Sequence, residues 1–250
     1  MNRNPLLEGI FHYIWSMIAI VGGGNVATHL YKALSGHTEV RMVNPRTFEG
    51  MPESPEIVIL AVSDNSIKDV ASGVKLKDAI LVHTSGTIPL SILKFISDKV
   101  GVLYPLQTFT KEKEMDYENI PVFIEGSSPE VVEKLKEVAR MFSGNINEAD
   151  SDKRKQLHLA SVFACNFTNA MAGVAADILK EAGLDFSVIL PLMEQTVEKL
   201  KTLSPSEAQT GPAVRGDTKV IESHLNMLEG KETLRNLYKE MTKIIQDAKI

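Results

Sequence analysis

Two short stretches carry groups whose type and spacing could do chemistry. In IVGGGNVA, residues 20–27, Gly22, Gly24 and Ala27 stand in a G-x-G-x-x-A spacing. Glycine there serves a tight turn and a close backbone approach to a pyrophosphate, and the small third residue lets a helix pack on a strand. Free N–H groups at the helix start would face the phosphates, so Gly22, Gly24, Asn25 and Val26 are candidate contacts for a dinucleotide. In HLASVFACNFTNAM, 158–171, the residues His158, Ser161, Cys165, Asn166, Thr168 and Asn169 fall on one half of a wheel drawn at about 100° per residue. Leu159, Phe163 and Phe167 take the other half. A solvated face would carry Lys and Glu, yet neither occurs between Gln156 and Asp177. Uncharged hydrogen-bonding groups on such a helix point to a cleft, an interface or a ligand.

The cofactor type should be set about twenty residues after the glycines, where an acid would bind the ribose 2′-hydroxyl of NAD. Here the positions hold Asn44, Pro45, Arg46 and Thr47. With no acid to repel it, a 2′-phosphate could sit against the Arg46 guanidinium and the Thr47 hydroxyl, which favours NADP. The plain alternative is a solvent-exposed arginine in a turn. Only residues 48–55 separate this turn from the next apolar run, too few for a helix and a strand, so the usual unit there is shortened or missing.

These groups need elements to hold them. Short apolar runs at 17–21, 39–43, 56–62, 79–84, 100–104 and 120–125 read as strands, with a helix at 25–35 ended by Gly36. Their near-continuous apolar character suits strands covered on both faces. A helix follows, with Ser128 as N-cap, Pro129 in first position and Gly144 beyond its end. From about Asp150 the pattern is helical throughout: 151–182 ended by Gly183, then 187–203, then one or two helices from Thr218. Between them, SPSEAQTGPAVRGD (204–217) is polar and rich in turn formers. The expectation is a Rossmann-type, mostly parallel α/β sheet domain over 17–150, then an all-helical domain over 151–250 for substrate or dimerisation. Residues 1–16 read as an extension, with Met17 a possible natural start.

Totals exclude some classes. A net charge of −5 with basic residues dispersed along the chain argues against nucleic acid as a partner. The single cysteine, Cys165, allows neither an intrachain disulfide nor a multi-cysteine metal site, so no metal is expected and a reducing, cytoplasmic setting is. The apolar run near the N-terminus is broken by Glu8, His12 and Ser16, and no later segment approaches the length of a membrane span. The long apolar helices suggest a homodimer formed through the C-terminal region. Ligands of open parallel sheets bind beyond the carboxyl ends of strands, where Ser63, Asp64, Thr84 and Ser85 lie. Asp64 and Ser85 could equally be helix caps, and His83 a satisfied buried histidine.

Taken together, GGGNVATHL, AVSDNSI, HTSGTIPL, YPLQTF, LHLASVFACNFTN and AQTGPAVRGD resemble a group of uncharacterised NADP oxidoreductases. That group joins a Rossmann domain to a helical C-terminal domain, and is distantly similar to pyrroline-5-carboxylate reductase and the 6-phosphogluconate and β-hydroxyacid dehydrogenases. The resemblance runs from about Met17 to the C-terminus. It implies that Val62, Ser63 and Asp64 line the cofactor cleft and that 83–86, with Ser85 and Gly86, lie beside the nicotinamide and the substrate. It also places Gln107 in the substrate pocket, though the segment could be a rigid turn. The related dehydrogenases use a lysine followed four residues later by asparagine; here Lys153 and Lys155 precede the polar stripe, with Leu157 and Leu159 four residues on. The proton donor left on the stripe is His158, of a residue type suited to acid–base work near neutrality. The expected chemistry is hydride transfer between NADPH and a C=O or C=N group of a small molecule. His158 would give or relay the proton, and Asn166 or Asn169 would hold the reacting group. Arg215 could bind a substrate carboxylate, or its loop could simply cap the next helix through Asp217. The rival reading is a non-catalytic protein that senses NADP(H) or assembles a partner.

Overall fold

A computed structural model describes residues 17–248, so the expected extension lies outside the described residues. The apolar runs form β1 (Ile18–Val21), β2 (Val40–Val43), β3 (Ile57–Leu60), β4 (Ile80–His83), β5 (Val100–Pro105) and β6 (Val122–Gly126). A short β7 (Ile146–Glu148) completes one sheet in the order β2-β1-β3-β4-β5-β6-β7. β1 to β5 pair in parallel, β6 runs antiparallel to β5, and β7 runs parallel to β6. The mostly parallel Rossmann-type sheet is therefore present. β7 was not expected, because Ile-Asn-Glu at a sheet edge lacks an apolar run.

Side chains alternate across each strand, and both faces are covered. Ile18 and Ile20 pack with Leu30 of α1 (Asn25–Leu34) and Leu135 of α3 (Pro129–Arg140). Ala19 and Val21 pack on the other side with Ile67 and Ala71 of α2 (Ile67–Gly73). Each strand therefore reads as continuously apolar. Ser128 accepts a hydrogen bond from the Val131 N–H at 3.4 Å, with Pro129 in the first turn, as its sequence predicts.

The short link from β2 to β3 is also present, and its physical basis is visible. Phe48, at φ 56°, and Met51 pack into the second core cluster in place of a helix. The Phe48 ring lies over α2 so closely that a Cβ on Gly73 would meet it at 2.6 Å. An aromatic plug covers this part of the sheet.

Asp150 accepts from the Lys153 N–H at 2.8 Å and starts α4 (Ser151–Ser161). The chain then passes through a π-helical turn at Val162–Phe167 into α5 (Thr168–Glu181), and Gly183 follows at φ 73°. The described chain divides into two compact units between Asn169 and Ala170, inside this long helix rather than at the expected residue 150. The first turns of the helix belong with the sheet because Arg154, 1% exposed, bonds to loops of the sheet unit. By length and composition, Ser151–Glu181 is also long and apolar enough to cross a membrane, which corrects the expectation that no later segment approaches a span. The reason is compositional: its central residues bond hydrogen without bearing charge.

The second unit contains α6 (Leu190–Lys199), α7 (Pro205–Ala208), α8 (Pro212–Arg215), α9 (Thr218–Met227) and α10 (Glu232–Asp247). The turn-rich segment 204–217 is not a plain loop. Ser204 and Glu207 form a reciprocal capping box that starts α7, and Gly216, at φ 67°, ends α8.

Candidate functional site

The glycine turn connects β1 to α1 at the point where the strand order reverses, between β1 and β3. Gly22 has φ 151°, and a Cβ on it would stand 2.2 Å from the Ala61 carbonyl oxygen. No side chain fits there. A Cβ on Gly23 or Gly24 would meet nothing within 4 Å, so the backbone is bare toward open space. Gly24 is the N-cap of α1 and offers no side-chain cap, which leaves the first N–H groups free. The resulting cleft has a volume of about 440 Å³. Gly22, Gly24, Asn25 and Val26 form one wall, with Arg46, Val62, Ser63 and Thr84 around it. A bare glycine cradle with unsatisfied N–H groups fits a dinucleotide's phosphates.

Four expected cofactor contacts do not line this cleft. Asn44 accepts from the backbone N–H groups of Arg46 (2.9 Å) and Thr47 (3.3 Å), holding the turn that presents Arg46. The Thr47 hydroxyl accepts from the Glu49 N–H at 3.3 Å. Asp64 accepts a short hydrogen bond from the Thr87 hydroxyl. Ser85 Oγ accepts from the N–H groups of Thr87 (3.1 Å) and Ile88 (3.0 Å). These polar groups are spent on local backbone or on each other, the usual fate of short side chains in turns. Conversely, Gly23, Pro45, Ala61, Ser66 and Val70 line the cleft without having been singled out. Ser66 shares a 2.8 Å hydrogen bond with Ser63.

A second cavity of about 650 Å³ lies where β5 meets the polar helix. His158, Ser161, Cys165 and Asn166 line it from the helix, and Tyr104, Gln107 and Thr108 from the end of β5. His158 Nδ1 and the Tyr104 hydroxyl are 3.2 Å apart. Burial raises the Tyr104 pKa, so the phenol keeps its proton and can donate it to Nδ1. When the phenol donates in this way, the ring hydrogen of His158 sits on Nε2. The Ser161 hydroxyl donates to the Leu157 carbonyl at 2.7 Å and is already committed. Asn166 lines the cavity and Asn169 does not. A helical wheel discards position along the axis, and eleven residues from His158 to Asn169 span about 16 Å.

The loop after β4 connects the two cavities. Thr84 lines the first, while a Cβ on Gly86 would stand 2.9 Å from His158 Nδ1 and 2.7 Å from the Tyr104 ring. Glycine is what lets that pair close over the loop. Arg154 holds the loop in place: Nε donates to the Ser85 carbonyl at 3.1 Å and Nη2 to the Ile88 carbonyl at 2.6 Å. Its Nη1 forms a short ion pair with Glu125, which also accepts from the Ser151 hydroxyl at 2.8 Å. His83 is fully buried and belongs to neither cavity; its Nδ1 accepts from the Ser85 N–H at 3.1 Å. Burial, helped by the Arg154 charge, lowers its pKa to about 4. It is a neutral structural histidine.

The family model described as "Domain of unknown function (DUF2520)" matches residues 120–245. A crystal structure titled "putative NADP oxidoreductase" from Bacteroides fragilis is 36% identical, with 93% of this chain and 98% of that one covered at a TM-score of 0.85. This chain belongs to the DUF2520 family. A Thermotoga maritima protein matches the DUF2520 chain at 26% identity over 93% of this chain and 99% of that one, with a TM-score of 0.79. An imine reductase from Myxococcus stipitatus in complex with NADP+ shares the fold, at 14% identity over 93% of each chain and a TM-score of 0.64. No curated protein sequence matches. The fold is thus that of Rossmann oxidoreductases with a helical C-terminal region.

Several DUF2520 positions escaped the reading of the sequence. Arg154 and Glu125 looked like ordinary charges, one in a Lys-Arg-Lys run and one at a strand end. The signal was Glu125 closing an otherwise apolar strand, a place that requires a buried partner. Arg215 lies in the second unit, its guanidinium 4.0 Å from the Asp217 carboxylate. Asp217 occupies the N-cap position of α9 but makes no side-chain cap bond, so the simple capping reading is corrected. The carboxylate leans instead toward Arg215.

Proposed function

We propose that this chain is an NADP-dependent oxidoreductase acting on the C=O or C=N group of a small metabolite. One observation carries the reading: a bare glycine cleft and a cavity holding a Tyr–His pair meet across the Thr84–Gly86 loop. A reduced nicotinamide, when bound, supplies hydride. Gly22, Gly24 and the free N–H groups of α1 hold the phosphates, and Arg46, which makes no ion pair among the described residues, receives a 2′-phosphate. His158, having taken up a proton from solvent, gives it from Nε2 to the reacting oxygen or nitrogen, and the Tyr104 hydroxyl, 3.2 Å from Nδ1, orients the ring. Asn166 donates from its amide to orient the substrate, and Gln107 and Thr108 supply polar groups at the pocket wall. The residues this reading needs all belong to the sheet unit and the helix turns counted with it.

The experiment is NADPH oxidation across a panel of small keto acids, aldehydes and cyclic imines. Turnover of at least one class is expected; tight NADPH binding with no turnover on any would favour the sensor reading instead. The same reading takes the chain as a homodimer. Leu192, Val188 and Val197 in the second unit are 65%, 60% and 59% exposed, more apolar surface than a solitary helical unit leaves in water. Light scattering at monomer mass would contradict this.

A further inference from the structure

A segment between the two cavities carries a charge that the reading so far leaves unused. After β5 the chain runs through Gln107 and Phe109 and then lies along α1 as a strap. Three side chains of α1 clasp it there. The Asn25 side-chain amide donates to the Phe109 carbonyl at 2.8 Å. The fully buried His29 bonds to the Thr110 carbonyl through Nε2 and to the Tyr117 hydroxyl through Nδ1, each at 2.8 Å, and stacks on the Phe109 ring. Lys32 Nζ donates to the Lys111 carbonyl at 3.2 Å.

The clasp fixes where Lys111 can reach. Its Nζ stands 3.5 Å from the Gly23 carbonyl oxygen, at the glycine turn itself, and it pairs with no carboxylate among the described residues. The N-terminus of α1 is the positive end of the helix, where a second positive charge is unfavourable unless an anion joins it. The turn offers bare backbone and no cation of its own between Gly22 and Val26. An anion there would have the helix N–H groups on one side and the ammonium on the other.

We infer that Lys111 is the counter-charge for the pyrophosphate of the bound dinucleotide, delivered by the strap over α1. The inference rests on the cofactor reading above. It also reassigns Asn25: its side chain tethers the strap, and only its backbone N–H remains for the phosphates. Because the strap also walls the second cavity, the phosphates and the substrate pocket share one segment.

The test measures dissociation constants for NADPH and for adenosine 2′-phosphate, which lacks the pyrophosphate, on the full chain and two variants. Lys111→Gln should weaken NADPH about tenfold, the worth of one charge-assisted bond, and reduce the salt dependence of its binding. Adenosine 2′-phosphate should bind Lys111→Gln as it binds the wild type, and Lys111→Arg should recover most NADPH affinity. Unchanged NADPH affinity in Lys111→Gln, or equal loss for both ligands, would overturn the inference, the latter by showing that the strap has merely come loose. Failure of the wild type to bind NADPH would overturn the cofactor reading itself, a separate outcome.

Discussion

The two cavities of the sheet unit are built on different principles. The glycine cleft is made by backbone: an absent Cβ at Gly22, bare peptide at Gly23 and Gly24, and the free N–H groups of one helix. The second cavity is made by side chains from two distant segments, Tyr104 at the end of β5 and His158 on α4, brought to 3.2 Å. Backbone sites are specified by a short local spacing. Side-chain sites depend on long-range packing, here on buried Arg154, one turn before His158 on α4, and its bonds to the loop after β4. The two kinds of site should therefore fail in different ways when altered.

The largest separation should come from Arg154. Arg154→Met leaves Glu125 without its partner and frees the Ser85 and Ile88 carbonyls, so chemical denaturation should show a loss of about 3–5 kcal/mol. Glu125 keeps some solvent access, which places the effect at the lower end of that range. The double change Arg154→Met with Glu125→Leu should recover part of it. If the single variant instead keeps wild-type stability, the loop is not held as described.

Acid should expose the shared loop next. His83 has a folded pKa of about 4 against an ordinary 6.5, so the folded protein binds fewer protons than the unfolded chain between those values. The contribution is fully present above pH 6.5 and is lost as pH falls toward 4, amounting to about 3 kcal/mol. In His83→Asn, whose side-chain oxygen can still accept from Ser85, the slope of stability against pH between 6.5 and 4 should flatten. An unchanged slope would mean that His83 is not buried neutral.

On the cleft side the effects are smaller. Gly22→Ala forces a Cβ against the Ala61 carbonyl and should cost about 1–3 kcal/mol of stability, with NADPH affinity falling in calorimetry. Gly24→Ala, whose Cβ would meet nothing, should keep its stability and serves as the contrast. Arg46→Ala should weaken NADPH about tenfold while leaving NADH unchanged. A tighter constant for NADH in the wild type would reverse the cofactor preference.

How much of this could be read in advance follows the same division. The strands, the glycine turn, the shortened link after Arg46 and the Ser128 cap are local patterns of apolar period and turn chemistry, and they form as read. The side chains of Asn44, Thr47, Asp64 and Ser85 lie near the cleft yet turn to local partners, because turn geometry decides a short polar side chain's bonding. The polar stripe was visible, but a wheel drawn at one period shows neither axial distance nor the π-helical turn at Val162–Phe167, so Asn169 was grouped with a cavity it does not line. Arg154, Glu125 and Lys111 were invisible for another reason. Each takes its meaning from a partner many residues away, and a charge alone in sequence resembles any solvated one.

The measurement that bears most directly on the account is made on His158→Ala with a substrate that the wild type turns over. The NADPH dissociation constant should stay at the wild-type value, because the cleft is backbone-built and separate, while kcat falls about 10²–10⁴-fold for want of the proton donor. Wild-type kcat in that variant would contradict the assignment of the second cavity as the seat of the chemistry.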